Sequence, residues 1–176
     1  MILNNYLKLK ACVSQNMAPN TTPTTFPINM VDINGVNNRG CYGFSSPNDF
    51  FNTDNWALMK GLKLRLGTGT TEPTLNDNAL VDDVTGSFTN IQTTVNTGCE
   101  DNKIKTVITM SATSNSANEI TIREVGVTKS VCYNYASGTS WPFQFVDVMM
   151  VRELLEEPIV VPARASFSIT FAWEEA

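Results

Sequence analysis

The sequence predicts an all-β fold, an antiparallel β-sandwich of immunoglobulin-like or jelly-roll-like type carrying a long irregular N-terminal arm. Two strands are spelled without error. Leu62, Leu64 and Leu66 alternate with Lys63 and Arg65, and Phe167, Ile169, Phe171 and Trp173 alternate with Ser166, Ser168, Thr170 and Ala172, the period of a chain with one face in a core and one in solvent. Composition agrees. The chain holds 21 Thr and 19 Asn, residues that suit half-buried strands and turns respectively. No periodic run supports a helix longer than two turns.

At 176 residues the chain buries roughly 70% of its unfolded surface on folding, enough for one self-sufficient core. The expected division is an N-terminal segment and extended arm over residues 1–56 and a β-sandwich domain over 57–176. Met1 to Val13 fits either a strand, through Leu7, Leu9, Ala11 and Val13, or a short helix lined by Leu3, Tyr6, Leu7 and Lys10. From Ser14 to Asn55 the chain is punctuated by Pro19, Pro23, Pro27, Pro47, Gly35, Gly40 and Gly43, and no long hydrophobic period survives. So long an irregular stretch in a compact domain is normally disordered or functional. Ordering it costs about 1–2 kcal/mol of backbone entropy per residue, which a partner surface would offset.

The first clean strand stops at the turn Gly67-Thr68-Gly69. Thr70 to Asp83 reads as a loop with a turn of helix around Leu75 to Leu80. Strands resume at Ser87–Val95, Ile104–Thr113 and Asn118–Thr128, joined by connections of hairpin length into an expected meander. In the last of these, Ile120 and Ile122 share a face while Val125 and Val127 fall on the other, which predicts a β-bulge near Arg123-Glu124. Phe143 to Leu155 is apolar enough for a strand buried on both faces, and Glu156-Glu157-Pro158 interrupts it.

The chain has no histidine. That removes the Ser-His-Asp and Cys-His nucleophiles and the usual histidine-bearing catalytic metal sites. The doublets Asp82-Asp83, Glu156-Glu157 and Glu174-Glu175 are adjacent residues, which on a strand point to opposite faces and do not converge on one substrate. Asp77, Asp82 and Asp83 could hold calcium, but an Asp/Asn-rich loop is equally ordinary turn chemistry. Gly67-Thr68-Gly69 lacks the Lys-Ser/Thr and following helix of a phosphate-binding loop. No catalytic residue, cofactor or metal site is predicted. A net charge of −5 leaves no broad basic surface for nucleic acid.

No apolar run reaches the length of a membrane-spanning helix. Cys12, Cys41, Cys99 and Cys132 form no Cys-x-x-Cys pair, and the N-terminus lacks a secretory signal. They read as unpaired, mostly buried thiols of a protein folded in a reducing cytoplasm. Tyr133 to Phe143 gathers four aromatics among small polar residues, a composition shared by recognition loops and by caps over the end of a sandwich. Candidate interface residues are therefore Tyr133, Tyr135 and Trp141, with Phe50 and Phe51 at the end of the arm; Trp56 reads as an anchor to the chain's own core.

Three stretches resemble small virion structural proteins of tailed bacteriophages, including crAss-like phages: Leu66-Gly67-Thr68-Gly69-Thr70-Thr71-Glu72-Pro73-Thr74 with Asp77 and Leu80; Ile122-Arg123-Glu124-Val125-Gly126; and Arg152-Glu153-Leu154-Leu155-Glu156-Glu157-Pro158-Ile159-Val160-Val161-Pro162. The resemblance covers residues 58 to 176. That group usually carries a glycine before the final strand, where this chain has Ala163-Arg164-Ala165. The resemblance implies a non-enzymatic subunit, present in many copies and made in the bacterial host cytoplasm. Its expected place is the virion, as a capsid decoration or head-fibre protein. It would contact itself as a homo-oligomer and other virion proteins such as the major capsid protein, with no nucleic acid and no membrane. The alternatives are a tail- or baseplate-associated protein, or an adhesin that stacks a host-surface glycan on its aromatic loop.

Overall fold

The computed structural model describes residues 1–9, 26–41, 59–101, 103–134 and 143–175. Among the described residues eight strands carry the fold: β1 (Phe26–Val31), β2 (Asn37–Cys41), β3 (Met59–Gly67), β4 (Phe88–Glu100), β5 (Lys103–Ser114), β6 (Ile120–Asn134), β7 (Phe143–Val161) and β8 (Ser166–Glu175). All pairings are antiparallel. They form two sheets, one of five strands built around β6 and one of three strands in the order β4-β5-β8. The expectation of an all-β fold with two antiparallel sheets holds.

Side chains of both sheets meet in one core. Leu62, Leu64 and Leu66 of β3, Val125 and Val127 of β6, and Val148 and Met150 of β7 join Ile108 and Met110 of β5 and Ile169, Phe171 and Trp173 of β8. Each fully buried aliphatic side chain stabilises the fold by about 1.5–3 kcal/mol relative to exposure. The alternation of β3 and β8 therefore marks the core face, as their sequence spells it.

The strands do not form the expected meander. β4–β5 and β6–β7 are hairpins, but they lie in different sheets, so the chain crosses between sheets after β3, β5 and β7. The β5–β6 and β7–β8 connections lie against each other. Arg164 N–H donates to Ser116 O (3.3 Å) and Ser114 N–H to Ala165 O (2.9 Å), while Asn115 N–H reaches Ser87 O (2.8 Å) ahead of β4. Short polar linkers look alike whether they turn within a sheet or cross to another.

Within the expected arm the structure forms a hairpin, β1–β2, that joins the large sheet through Cys41 opposite Tyr133. Its turn rests on Gly35 at φ 78°, a left-handed position glycine adopts without strain, and on the Asp32 carboxylate, which accepts from the Asn34 (2.9 Å) and Val36 (3.0 Å) N–H groups. Residues 4–9 are helical, with Leu3, Tyr6 and Leu9 buried and Leu7 about half exposed. Leu3 and Tyr6 line the buried face as expected, but Leu7 does not and Leu9 does, and Lys10 lies outside the described residues. No helical turn forms at Leu75 to Leu80; a 3₁₀ turn sits instead at Thr85–Ser87, because Asp77 closes a tight turn with Thr74. Of the cysteines whose side chains are described, Cys99 is free and exposed rather than buried.

β6 is the centre of the large sheet and is buried on both faces from Glu124 to Ser130. This explains the sequence's apparent slip near Glu124. Val125 and Val127 face the main core, while Gly126 abuts Leu80 and Met149 of a second cluster that also includes Leu3. A register break does fall between Ile122 and Glu124, but the extra residues are on β7: Ile122 pairs with Ile159 and Glu124 with Leu154. The segment Leu155 to Pro158 is thus a step in the ladder of one continuous strand, not its end. A further break between Val127 and Thr128 leaves Met150 unpaired on β7. Val148, Met149, Met150, Val151 and Arg152 are all buried, as a strand covered on both faces requires.

Candidate functional site

Three stretches singled out in the sequence, Leu66 to Leu80, Ile122 to Gly126 and Arg152 to Pro162, converge on a single buried ion pair. β6 delivers Glu124 and β7 delivers Arg152, which lies opposite Gly126 and so one diagonal step from Glu124, within reach of a long side chain. Arg152 Nε and Nη2 both lie 2.9 Å from Glu124 Oε2. The side chains are 2% and 0% exposed. Arg152 Nη1 donates to the Asp77 carboxylate, and Nη2 donates to Thr71 O at 2.8 Å. The planar guanidinium satisfies two carboxylates and a carbonyl at once, which an ammonium could not do in the same geometry.

Glu124 uses its other oxygen on the backbone. Oε1 accepts from the N–H groups of Val81 (3.0 Å) and Asp82 (3.2 Å). Gly67 and Gly69 lie against the same carboxylate: a Cβ at either would fall 2.5 Å from Glu124 Oε1. The glycines of the Gly-Thr-Gly turn are therefore small because a buried carboxylate occupies the space beside them. Thr68 N–H to Asp82 O (3.0 Å) and Val84 N–H to Leu66 O (2.9 Å) close the loop of residues 68–83 at its base. It is a compact surface loop whose ends meet.

The rest of this face is covered by the N-terminal residues. Ile2 bridges Val151 and Leu3 N–H donates to Met150 O at 2.8 Å, so the start of the chain runs along the edge of β7. Asn4 N–H reaches Leu75 O at 3.0 Å, and its side chain reaches Asn76. Asn78 donates to Asp32 O at 2.9 Å, tying the same loop to the β1–β2 turn.

A second polar group lies on the same face of the large sheet. Asp147 accepts from Ser130, from Lys63 at 2.9 Å and from Arg65 at 3.3 Å, and Arg65 also pairs with Asp83 at 2.8 Å. Burial alone would raise the carboxyls of Asp77, Asp83 and Asp147. Hydrogen bonds outweigh it, from Thr74 and Arg152 on Asp77, from Thr85 and Arg65 on Asp83, and from Ser130 and Lys63 on Asp147, and hold all three below the usual carboxylate range. Against its desolvation, hydrogen bonds to Asp77 and Glu124 raise Arg152 above the ordinary guanidinium value.

Of the predicted interface residues, Phe50, Phe51, Tyr135 and Trp141 lie outside the described residues. Tyr133 has its backbone in β6, opposite Gln144, and its side chain lies outside them. Asp77 and Asp83, weighed as calcium ligands, each pair with an arginine, and Asp82 is exposed. Among the described residues no three His, Cys, Asp or Glu side chains cluster as a metal site. The Glu124–Arg152 pair was missed by sequence reasoning. Its signal is a charge abutting each of two apolar strand runs, Glu124 before Val125 to Val127 and Arg152 after Val148 to Val151. No family model, curated protein or solved structure matches the chain.

Proposed function

We propose that the chain is a non-enzymatic structural component of a tailed-phage virion, a β-sandwich subunit carried on the capsid as a decoration or head-fibre protein. The observation that carries this reading is the meeting of Gly67, Gly69 and Asp77, Glu124 and Gly126, and Arg152 in one buried lock. The three stretches on which the resemblance rests are therefore one physical unit, because each is needed to bury the others' polar groups. Coincidence in three separate short motifs is easy; coincidence in a coupled set is harder.

The chemistry of the lock favours architecture. Arg152, Glu124 and Asp77 are spent on one another and on loop backbone, and Glu124 has no solvent-facing surface. A low-charge Thr/Asn-rich exterior suits assemblies in which many weak contacts act together at high local concentration.

The test is to purify particles from a lysate of the producing phage, identify their proteins by peptide mass spectrometry, and label this chain with antibody. Tens of copies on the shell are expected. Label confined to the tail or baseplate would move the protein to that part of the particle, and absence from particles that retain their other proteins would overturn the reading.

A further inference from the structure

Among the described residues, β4 pairs with β5 along one edge and with nothing along the other. A bare strand edge is a template for another strand, and proteins that remain monomeric blunt such edges with charges, proline or bulges. β4 has such devices only at its ends, the charge of Glu100 at its last position and an irregularity at its start. Asn90 takes φ 52°, and the register with β5 slips between Thr89 and Gln92. From Gln92 to Glu100 the register runs unbroken, and no charged residue or proline occurs from Gln92 through Cys99. β8, the opposite edge of the same sheet, is shorter and carries Glu174.

The side chains of this strand are also short of cover. Thr94, Asn96, Thr97, Gly98 and Cys99 are exposed, Val95 is only partly buried, and Ile91 is 44% exposed. The hairpin thus reaches beyond the core that the rest of its sheet helps to build. A partner strand would cover part of both faces as well as the edge.

We propose that β4 pairs antiparallel with β4 of a second copy of this chain, joining two three-stranded sheets into one of six. The sequence of the edge selects that occupant. In a two-fold antiparallel pairing the residue on the axis meets its own copy and its neighbours meet in swapped pairs, so a charge near the axis lies opposite or one diagonal step from the same charge, and like charges across strands are destabilising. Gln92 to Cys99 has none, and an axis at Val95 sets Thr93 opposite Thr97 of the second copy, a pair that is favourable across an antiparallel ladder. An edge adapted to a different protein is under no such restriction and is free to carry charge complementary to that partner. The argument stands on β4 alone and does not use the assignment to a virion; it deepens that reading by naming a self-contact.

The test is sedimentation velocity on the full chain over a range of concentrations, with Thr94→Lys/Asn96→Lys on the edge and Ser111→Lys as control. Ser111 lies on the same outer face but in the central strand β5, so the control separates edge pairing from packing of the face. The wild type and Ser111→Lys are expected to form a dimer, or a larger even assembly. The edge variant, folded by circular dichroism, is expected to halve that mass, with the dissociation constant rising roughly tenfold or more. A wild type that stays monomeric at high concentration, or an oligomer whose mass the edge variant leaves unchanged, would overturn the proposal. Either result leaves the particle-labelling test untouched.

Discussion

Arg152 and Glu124 face each other from neighbouring strands at 2.9 Å with almost no surface in water, and each also holds a different part of one loop. Removing one member of a buried pair leaves the other charge uncompensated, a loss of about 3–5 kcal/mol. Arg152→Met is therefore expected to destabilise the fold by that order, as measured by urea denaturation. Glu124→Gln keeps the shape and one acceptor oxygen and is expected to cost less. If Arg152→Met leaves the transition midpoint where it was, the pair does not stabilise the fold.

The two glycines beside Glu124 make a steric prediction. Gly67→Ala or Gly69→Ala would drive a methyl group to 2.5 Å from a carboxylate oxygen pinned by two backbone N–H groups, on a carboxylate whose other oxygen is held by Arg152. Overpacking of this kind costs about 1–3 kcal/mol. Gly86, whose added Cβ would meet nothing within 4 Å, is the control: Gly86→Ala should be near neutral in the same denaturation assay.

Stability should fall on the acid side. Asp77, Asp83 and Asp147 are held below their unfolded value of 3.8. A carboxyl depressed in the folded state stabilises the fold above its unfolded value and loses that contribution as pH falls through the folded one. The expected profile is flat from neutral pH to about 5 and declines below about 4. Asp147→Asn should be less stable than wild type at neutral pH and approach it in acid. Parallel profiles for the two proteins would remove Asp147 from the account.

The turn before β8 stores a smaller penalty. Arg164 takes φ 58°, a left-handed conformation that costs a side-chain-bearing residue about 1–2 kcal/mol. Arg164→Gly relieves it while adding freedom to the unfolded chain, so a net gain of up to about 1 kcal/mol is expected. A thermal midpoint that falls instead would show that the Arg164 side chain contributes more than its backbone loses.

The strands were legible where one face is buried and the other wet. Leu62 to Leu66 and Phe167 to Trp173 alternate because one side of each meets the core. β6 was harder, because Val125 and Val127 are buried on one side while Gly126 and Glu124 are buried on the other by a loop over forty positions away in sequence; alternation of polarity is lost when both faces are covered. The β1–β2 hairpin was masked by proline and glycine, which mark turns but do not forbid a short edge hairpin. The site was legible as three motifs and illegible as one. Nothing local in Thr71, Asp77 or Arg152 announces that strand pairing of β6 with β7 sets them in contact.

The central claim is that these motif residues hold the loop of residues 68–83 onto the sheet. Native-state hydrogen exchange on wild type and Arg152→Lys tests it most directly, since lysine keeps the charge but not the three-way geometry. The account predicts that the amides of Val81 and Asp82, which donate to Glu124, lose protection in the variant while those of β5 and β8 keep it. Unchanged protection at Val81 and Asp82, or an equal loss throughout both sheets, would contradict a lock that acts on this loop.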